Sequence, residues 1–157
     1  MNIEQYLETL NRRYVSGIAG EHTYRSDLEL LVRGLVDGIE VTNEPSQVTD
    51  CGNPDYVITK LGVPVGYIEA KDIGKDLNSK SYVEQFTRYR SALDNLIITD
   101  YIWFQFFENS ELVAEIRIAD IKNGRIIPNP KEFDKFKDLI VTFTSRVTQA
   151  IKSPSKL

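Results

Sequence analysis

The hydrophobic pattern of the N-terminal quarter is helical. Apolar side chains recur three or four positions apart at Ile3, Tyr6, Leu7, Leu10 and Tyr14. Asn2 stands where a helix N-cap belongs, and Gly17 follows as a stop signal. Ser26-Asp27-Leu28-Glu29 has the form of a capping box in front of a second apolar stripe. Two helices are therefore predicted, and the second begins at Ser26.

From Ile39 onward the pattern changes to that of β-strands. Three β-prone runs lie at residues 39–42, 56–58 and 63–68, and residues 60–62 are expected to form a tight turn. A third helix is predicted from Ser79 or Ser81. Three further strands are expected after it, at residues 96–99, 101–107 and 112–118.

The C-terminal segment returns to helical spacing. Asn129-Pro130 is expected to open a last helix. Its apolar face contains Phe133, Phe136, Ile140, Phe143, Val147 and Ile151. The predicted order α-α-β-β-β-α-β-β-β-α indicates a mixed sheet with helices on its faces. Residues 1–152 are expected to form one domain, and residues 153–157 the start of a linker, although an ordinary terminus accounts for them equally well.

Composition favours a single soluble domain. The chain has 157 residues, of which 41% are apolar and 27% charged. Its one cysteine, Cys51, has no partner within the chain, so a reducing, cytoplasmic setting is expected. No apolar run approaches the roughly 20 residues of a membrane span.

The charge is unevenly distributed. A net charge of −4 argues against a simple nucleic-acid coat, because such proteins carry excess Lys and Arg. Residues 1–70 contain 5 basic and 11 acidic side chains, whereas residues 117–157 contain 9 basic and 4 acidic ones. The acids are concentrated in the part of the chain that carries the candidate site, although a solvated, sign-mixed surface explains the same numbers.

Two acids and an amine are expected to meet at one end of a predicted hairpin. Asp55 precedes one strand, and Glu69 lies near the end of the next. The two-residue period of a strand places Glu69 and Lys71 on one face and Ala70 on the other. Carboxylates are hard oxygen ligands suited to Mg²⁺, and an ammonium beside the ion suits phosphodiester hydrolysis. Solvent-facing positions for Glu69 and Lys71, with Asp55 as a turn acid, are the alternative.

This pattern resembles the signature of a known nuclease superfamily. Pro54-Asp55 followed by Glu69-Ala70-Lys71 is similar to the motif of the PD-(D/E)XK nucleases. Residues 85–89, which begin at Gln85 and end at Tyr89, are similar to the Q-x-x-x-Y element of some branches. The resemblance implies an α/β restriction-endonuclease-like fold, with a mixed central sheet flanked by helices and an αβββαβ core.

A closer resemblance covers most of the chain. Residues 21–29, 43–45, 52–55, 65–72 and 95–101 together resemble the N-terminal nuclease domain of type ISP, single-polypeptide restriction-modification enzymes. In that family the domain precedes an ATP-dependent DNA translocase, a methyltransferase and a target-recognition domain. The sequence contains neither a Walker-type phosphate loop nor a glycine motif for a methyl donor. Those functions are expected in covalently linked domains of a longer protein.

The resemblance also implies roles for individual residues. Asp55 and Glu69 are expected to bind Mg²⁺, for which Mn²⁺ is a possible substitute, and the Ala70 carbonyl oxygen is expected as a third ligand. Lys71 would position or activate the attacking water. Glu29 matches a helix acid that often completes the metal site, although its place in the capping box competes with that role.

Other residues keep two interpretations. Gln85 is assigned to the catalytic group, where it holds the active-site end of the third helix or touches the DNA backbone. Tyr89 shares that helix face, and a plain core position explains it nearly as well. Arg25 is expected either to contact phosphate or to lie on the surface, and Asp72 is expected to point away from Lys71. His22 is the only histidine, which excludes a multi-histidine metal site.

The predicted function is that of a Mg²⁺-dependent endonuclease domain that cleaves the backbone of duplex DNA without sequence specificity of its own. It would be the cleavage module of an ATP-dependent restriction-modification enzyme. A stand-alone PD-(D/E)XK nuclease for repair or junction resolution is the first alternative. A degenerate, non-catalytic DNA-binding or docking domain is the second.

Overall fold

The computed structural model describes residues 1–20, 22–43, 45 and 52–146. Several predictions fall outside these residues. They concern Cys51, the linker at 153–157, the positions of Val147 and Ile151 on the last helix, and two acids of the family-like segments, Glu21 and Glu44. Within the described residues, no helix has the length and apolar character needed to cross a membrane.

Helix α1 spans Ile3–Val15 and begins as predicted. The Asn2 Oδ1 accepts a hydrogen bond from the Gln5 N–H at 2.8 Å, and the Asn2 N–H donates to the Gln5 Oε1 at 3.0 Å. This reciprocal pair satisfies two amides that the first helical turn leaves without intrahelical partners. The apolar stripe predicted from the sequence is the buried face of the helix.

Helix α2 spans Arg25–Leu35 and corrects the predicted capping box. Tyr24 occupies the cap position, and no side chain caps the helix there. Ser26 instead lies inside the first turn, followed by the buried Asp27, which pairs with Arg13 of α1 at 3.1 Å. Packing of α2 against α1 thus overrides the local capping signal.

In the described part of the chain, six strands form the central sheet, and they lie side by side in the order in which they occur in the sequence. They are β1 (Glu40–Asn43), β2 (Tyr56–Lys60), β3 (Val63–Ala70), β4 (Asn95–Thr99), β5 (Trp103–Glu108) and β6 (Glu111–Arg117). Among these six strands, only β3 and β4 pair in parallel, and the connection between them contains helix α3 (Val83–Ala92). The predicted turn is confirmed, because Leu61 and Gly62 join β2 to β3 with φ values of 50° and 78°.

The sheet separates two hydrophobic clusters. Side chains alternate across it, so Ile97 of β4 packs into one cluster while Leu96 and Ile98 pack into the other. The larger cluster contains the apolar faces of α1, α2 and the last helix, and the smaller one contains that of α3. This arrangement is the predicted mixed sheet with helices on both faces.

Two short helical turns shift the starts of the later helices. A 3₁₀ turn at Lys80–Tyr82, capped by the Ser79 side chain, precedes α3. Another at Pro130–Glu132 precedes α4, which spans Phe133–Thr144. The predicted helix starts thus mark these turns rather than the α-helices themselves.

A second, two-stranded sheet was not predicted. Strands β7 (Ala119–Lys122) and β8 (Arg125–Pro128) form a hairpin around Asn123 and Gly124. Asn-Gly between β-prone residues is the strongest short-range hairpin signal, and it was available in the sequence. The hairpin is joined to α1 by a hydrogen bond of 2.9 Å from the Ile126 N–H to the Asn11 Oδ1.

Gly66 of β3 lets α4 approach the sheet closely. A Cβ atom at this position would lie 2.6 Å from the Phe143 ring and 3.2 Å from the Asn95 side-chain nitrogen. The same Asn95 amide donates to the backbone oxygens of Val65 and Phe143, each at 2.8 Å. The contact therefore fixes β3, β4 and α4 to one another.

Replacement of Gly66 by alanine is predicted to destabilise the fold by about 1–3 kcal/mol, because the added methyl group has no space. Urea unfolding of the purified chain measures this change. Gly20→Ala is the matched control, since the nearest atom to its added Cβ would be the Thr23 Oγ1 at 4.0 Å. Equal losses in the two variants would contradict the close approach of α4.

Candidate active site

A polar cleft of about 410 Å³ opens at the C-terminal end of β3. Its walls come from the start of α2, the segment before β2, the end of β3, and α3. Five residues assigned to the candidate site from the sequence line this cleft: Asp55, Glu69, Ala70, Lys71 and Gln85. The fold thus brings together residues from three separate parts of the chain.

The strand register accounts for the meeting of the two acids. Tyr56 of β2 is paired with Ile68 of β3 in an antiparallel ladder, so Asp55 and Glu69 are the next opposed pair. The Asp55 N–H donates to the Glu69 Oε1 at 3.3 Å, and the Ala70 N–H donates to the Asp55 Oδ2 at 2.8 Å. The two carboxylates therefore share one end of the hairpin, as the sequence predicted.

Lys71 lies beside Glu69, on the face that the strand period predicts. Its Nζ is 3.4 Å from the Glu69 Oε2 and donates to the Gln85 Oε1 at 2.9 Å. The Gln85 Nε2 in turn lies 3.5 Å from the same Glu69 oxygen. The ammonium also lies over the Tyr82 and Phe86 rings, 5.0 and 5.7 Å from their centroids. Helix α3 thus holds the amine against the acid.

Arg25 is a site residue that the sequence left undecided. Its side chain is 11% exposed, and its Nη2 lies 2.8 Å from the Asp55 Oδ1. The Tyr56 O–H donates to the Arg25 carbonyl oxygen at 2.9 Å, which fixes the backbone of the first turn of α2. The sequence signal was the position of Arg25 in a family-like segment, but its acid partner lies 30 positions away and only the fold reveals it.

Glu29 is not brought into the cleft. Its carboxylate pairs with Arg33 at 3.5 Å, four residues along the same helix. Arg25, one turn earlier on α2, takes the position beside Asp55. The structure therefore gives the predicted metal-binding role of Glu29 no support.

Three further residues of the cleft wall bear on the predictions: Tyr89, Asp72 and Tyr101. The Tyr89 O–H donates to the Asn53 backbone oxygen at 3.3 Å, which ties α3 to the segment before β2. Asp72 lines the cleft, contrary to the expectation that it points away, because β3 and its alternation end at Ala70. Tyr101, expected in a strand, has a φ of 79° in the turn before β5, and its carbonyl oxygen accepts from the Tyr6 O–H.

The electrostatics of the cleft are dominated by the acid pair, in which Glu69 is buried and Asp55 is partly buried. Burial raises the pKa of Glu69 to about 7, and the negative charge of Asp55 adds to this effect. The Lys71 ammonium and its hydrogen bond act in the opposite direction. Lys71 alone therefore does not offset the burial of an ionised Glu69 and its repulsion by Asp55.

The donor atoms of the cleft fit a hard divalent cation. Two carboxylates line it together with Ala70, whose carbonyl oxygen is the third ligand expected from the sequence, and Mg²⁺ prefers oxygen ligands while it keeps several waters. A positive ion between Asp55 and Glu69 would also remove the repulsion that raises the pKa of Glu69. No group of three or more His, Cys, Asp or Glu side chains suited to a metal occurs in the described part of the chain. Water would accordingly supply much of the coordination.

Comparisons with known proteins identify the fold. No family model matches the chain, and no curated protein matches it. A solved structure described as "cryoEM structure DrdV-DNA complex" is similar, with a TM-score of 0.70 and 18% sequence identity. The match covers 92% of this chain and 14% of the matched chain. The likeness is one of fold, and the chain has the mixed α/β fold, with a central sheet flanked by helices, that the sequence predicted.

The raised pKa of Glu69 predicts a pH-dependent loss of stability in the absence of metal. The folded chain retains a proton on Glu69 up to about pH 7, whereas the ordinary value for the unfolded chain is 4.5. The tighter binding of this proton by the folded chain adds to the free energy of unfolding. The addition is complete below pH 4.5 and is lost as the pH rises through about 7.

Urea unfolding in a chelator, from about pH 5 to pH 8, measures this contribution as the difference between the wild type and Glu69→Gln. That difference is expected to fall by about 1–3 kcal/mol across the range, because glutamine does not titrate. Groups that titrate in both proteins cancel. Parallel stability curves would show that Glu69 is ionised throughout and would contradict the assigned environment.

Proposed function

We propose that this chain is a metal-dependent endodeoxyribonuclease domain. The observation that carries the proposal is the convergence of Asp55, Glu69 and Lys71 at the end of β3, where an acid pair and an amine line one cleft. A buried acid with a raised pKa costs folding free energy, and such groups are concentrated at functional sites. Hydrolysis of a phosphodiester uses this combination of groups.

The chain's own residues divide the work. Asp55 and Glu69 hold the ion, with the Ala70 carbonyl oxygen as a further ligand. When bound, Mg²⁺ or Mn²⁺ polarises a phosphoryl oxygen and supplies water of lowered pKa. The Lys71 ammonium orients the attacking water and steadies the developing negative charge, while Gln85 holds that ammonium in place. Water adds to phosphorus, one P–O bond breaks, and a proton passes to the leaving oxygen.

Duplex DNA is the proposed substrate. The similar solved structure is a complex of DrdV with DNA, and its likeness extends over 92% of this chain. With a net charge of −4, the chain itself is expected to bind DNA weakly. Delivery by covalently linked translocase, methyltransferase and target-recognition domains would raise the local DNA concentration and compensate for the weak binding.

Lys71→Ala is predicted to slow metal-dependent DNA cleavage by at least about 100-fold, because a preorganised charge at the reacting phosphate is lost. Nicking of supercoiled plasmid in Mg²⁺ or Mn²⁺, by the chain or by a longer protein that contains it, measures the rate. Lys122→Ala, an exposed change on the β7–β8 hairpin, is the matched control and is expected to be neutral.

Asp55→Ala is predicted to abolish the rise in melting temperature that Mn²⁺ gives the wild type. That rise is expected to be several degrees at saturating metal, since a ligand that binds only the folded state stabilises it. Asp138→Ala removes an exposed acid of α4 and is expected to leave the response intact.

Wild-type cleavage by Lys71→Ala, or an unchanged metal response in Asp55→Ala, would contradict the proposed site. Cleavage by this chain alone would favour a stand-alone nuclease.

A further inference from the structure

We propose that Arg25 is a resident counter-cation of the active site, which pairs with Asp55 until a divalent ion binds and then becomes a ligand of the DNA phosphate. The inference rests on the proposed function, since it concerns the same cleft. It assigns Arg25 a binding role outside the motif formed by Asp55, Glu69 and Lys71. It also makes binding of the metal and binding of the nucleic acid mutually dependent.

The hydrogen bonds of Asp55 are the first support. Its Oδ2 accepts from the Ala70 N–H at 2.8 Å, and its Oδ1 is paired with the Arg25 Nη2 at 2.8 Å. Both carboxylate oxygens are therefore engaged in the structure. A cation that binds Asp55 through the Oδ1 shares that oxygen with the guanidinium, and the repulsion between the two positive charges favours displacement of the guanidinium. The backbone amide can keep its bond to the other oxygen. Arg25 and the ion thus compete for one atom.

The charge balance of the cleft is the second support. Six charged side chains line the cleft, and they sum to zero when all are ionised: the acids Asp55, Glu69 and Asp72, and the cations Arg25, Lys71 and Lys75. A divalent cation added to this set makes the site strongly positive. The guanidinium and the ion then repel each other, and an anion is required to balance them. A phosphodiester carries that anionic charge on its two non-bridging oxygens.

The chemistry of the Arg25 side chain and the fixed position of its backbone suit a change of partner from Asp55 to a phosphate. A guanidinium presents a planar fork of donors that matches phosphate as well as carboxylate, unlike the point charge of lysine. The backbone of Arg25 is fixed by the Tyr56 hydrogen bond at 2.9 Å, while the side chain lines the open cleft. The head group is thus able to exchange partners without movement of α2.

The first measurement is metal affinity, followed as the midpoint of the Mn²⁺-induced rise in melting temperature. Arg25→Gln is expected to lower the half-saturating Mn²⁺ concentration about 10-fold, because the competitor for Asp55 is gone. Arg33→Gln is the matched control: Arg33 lies on the same helix, is 54% exposed and pairs with Glu29 outside the cleft. It is expected to leave the midpoint unchanged.

The second measurement is binding of a short fluorescent DNA duplex at fixed salt, in Ca²⁺ to avoid cleavage and in a chelator. The wild type is expected to bind more tightly with Ca²⁺. Arg25→Gln is expected to lose about 10-fold of its affinity in Ca²⁺ and to match the wild type in the chelator. Arg25→Gln is therefore expected to strengthen metal binding and to weaken DNA binding. Loss of an arginine that only stabilises the fold would not produce this opposite pair of effects.

Arg25→Lys is the second variant, in case the glutamine protein fails to fold as judged by circular dichroism. It retains one charge without the fork and is expected to shift both readouts in the same directions by a smaller factor. An unchanged or higher Mn²⁺ midpoint in a folded Arg25 variant would overturn the competition. Unchanged DNA affinity in Ca²⁺ would overturn the phosphate role. Failure of the proposed function is distinguishable, because the wild type itself would then show no response to metal.

Discussion

Two like charges held together away from water are the constraint on which this site depends. The antiparallel register of β2 and β3 places Asp55 opposite Glu69, and burial together with their repulsion raises the pKa of Glu69. Each acid is paired with a cation: Asp55 with Arg25 of α2, and Glu69 with Lys71, which directly follows β3. Helix α3 adds Gln85, which contacts Lys71 and Glu69. The positions of three elements are therefore coupled through one electrostatic balance.

The scaffold holds these elements close to one another. Asn95 of β4 bonds to backbone on β3 and α4, and the absence of a side chain at Gly66 lets α4 pack against the sheet there. Tyr101 holds a backbone conformation that non-glycine residues seldom adopt, and the hydrogen bond from Tyr6 secures it beside the cleft. A site built on packed strands and helices has its backbone held in a fixed geometry.

Periodic features could be predicted from the sequence, and long-range contacts could not. The stripe of α1, the β2–β3 turn and the meeting of Asp55 with Glu69 all follow from spacing and strand alternation. The predicted capping box at Ser26 was wrong, because the helix already begins at Arg25. Asp27 forms an ion pair with Arg13 of α1, a contact that no local pattern reveals. The partnership of Arg25 with Asp55 was missed for the same reason. The β7–β8 hairpin, by contrast, had a local signal in Asn123-Gly124 that was overlooked.

The central claim is that Asp55 and Glu69 bind one divalent ion, and its most direct test is anomalous X-ray scattering from crystals of this chain that contain Mn²⁺. The account predicts an anomalous peak bonded to one oxygen of each carboxylate, at the end of β3. A clear map with no peak between these two residues at saturating Mn²⁺, or with manganese bound elsewhere only, would contradict it.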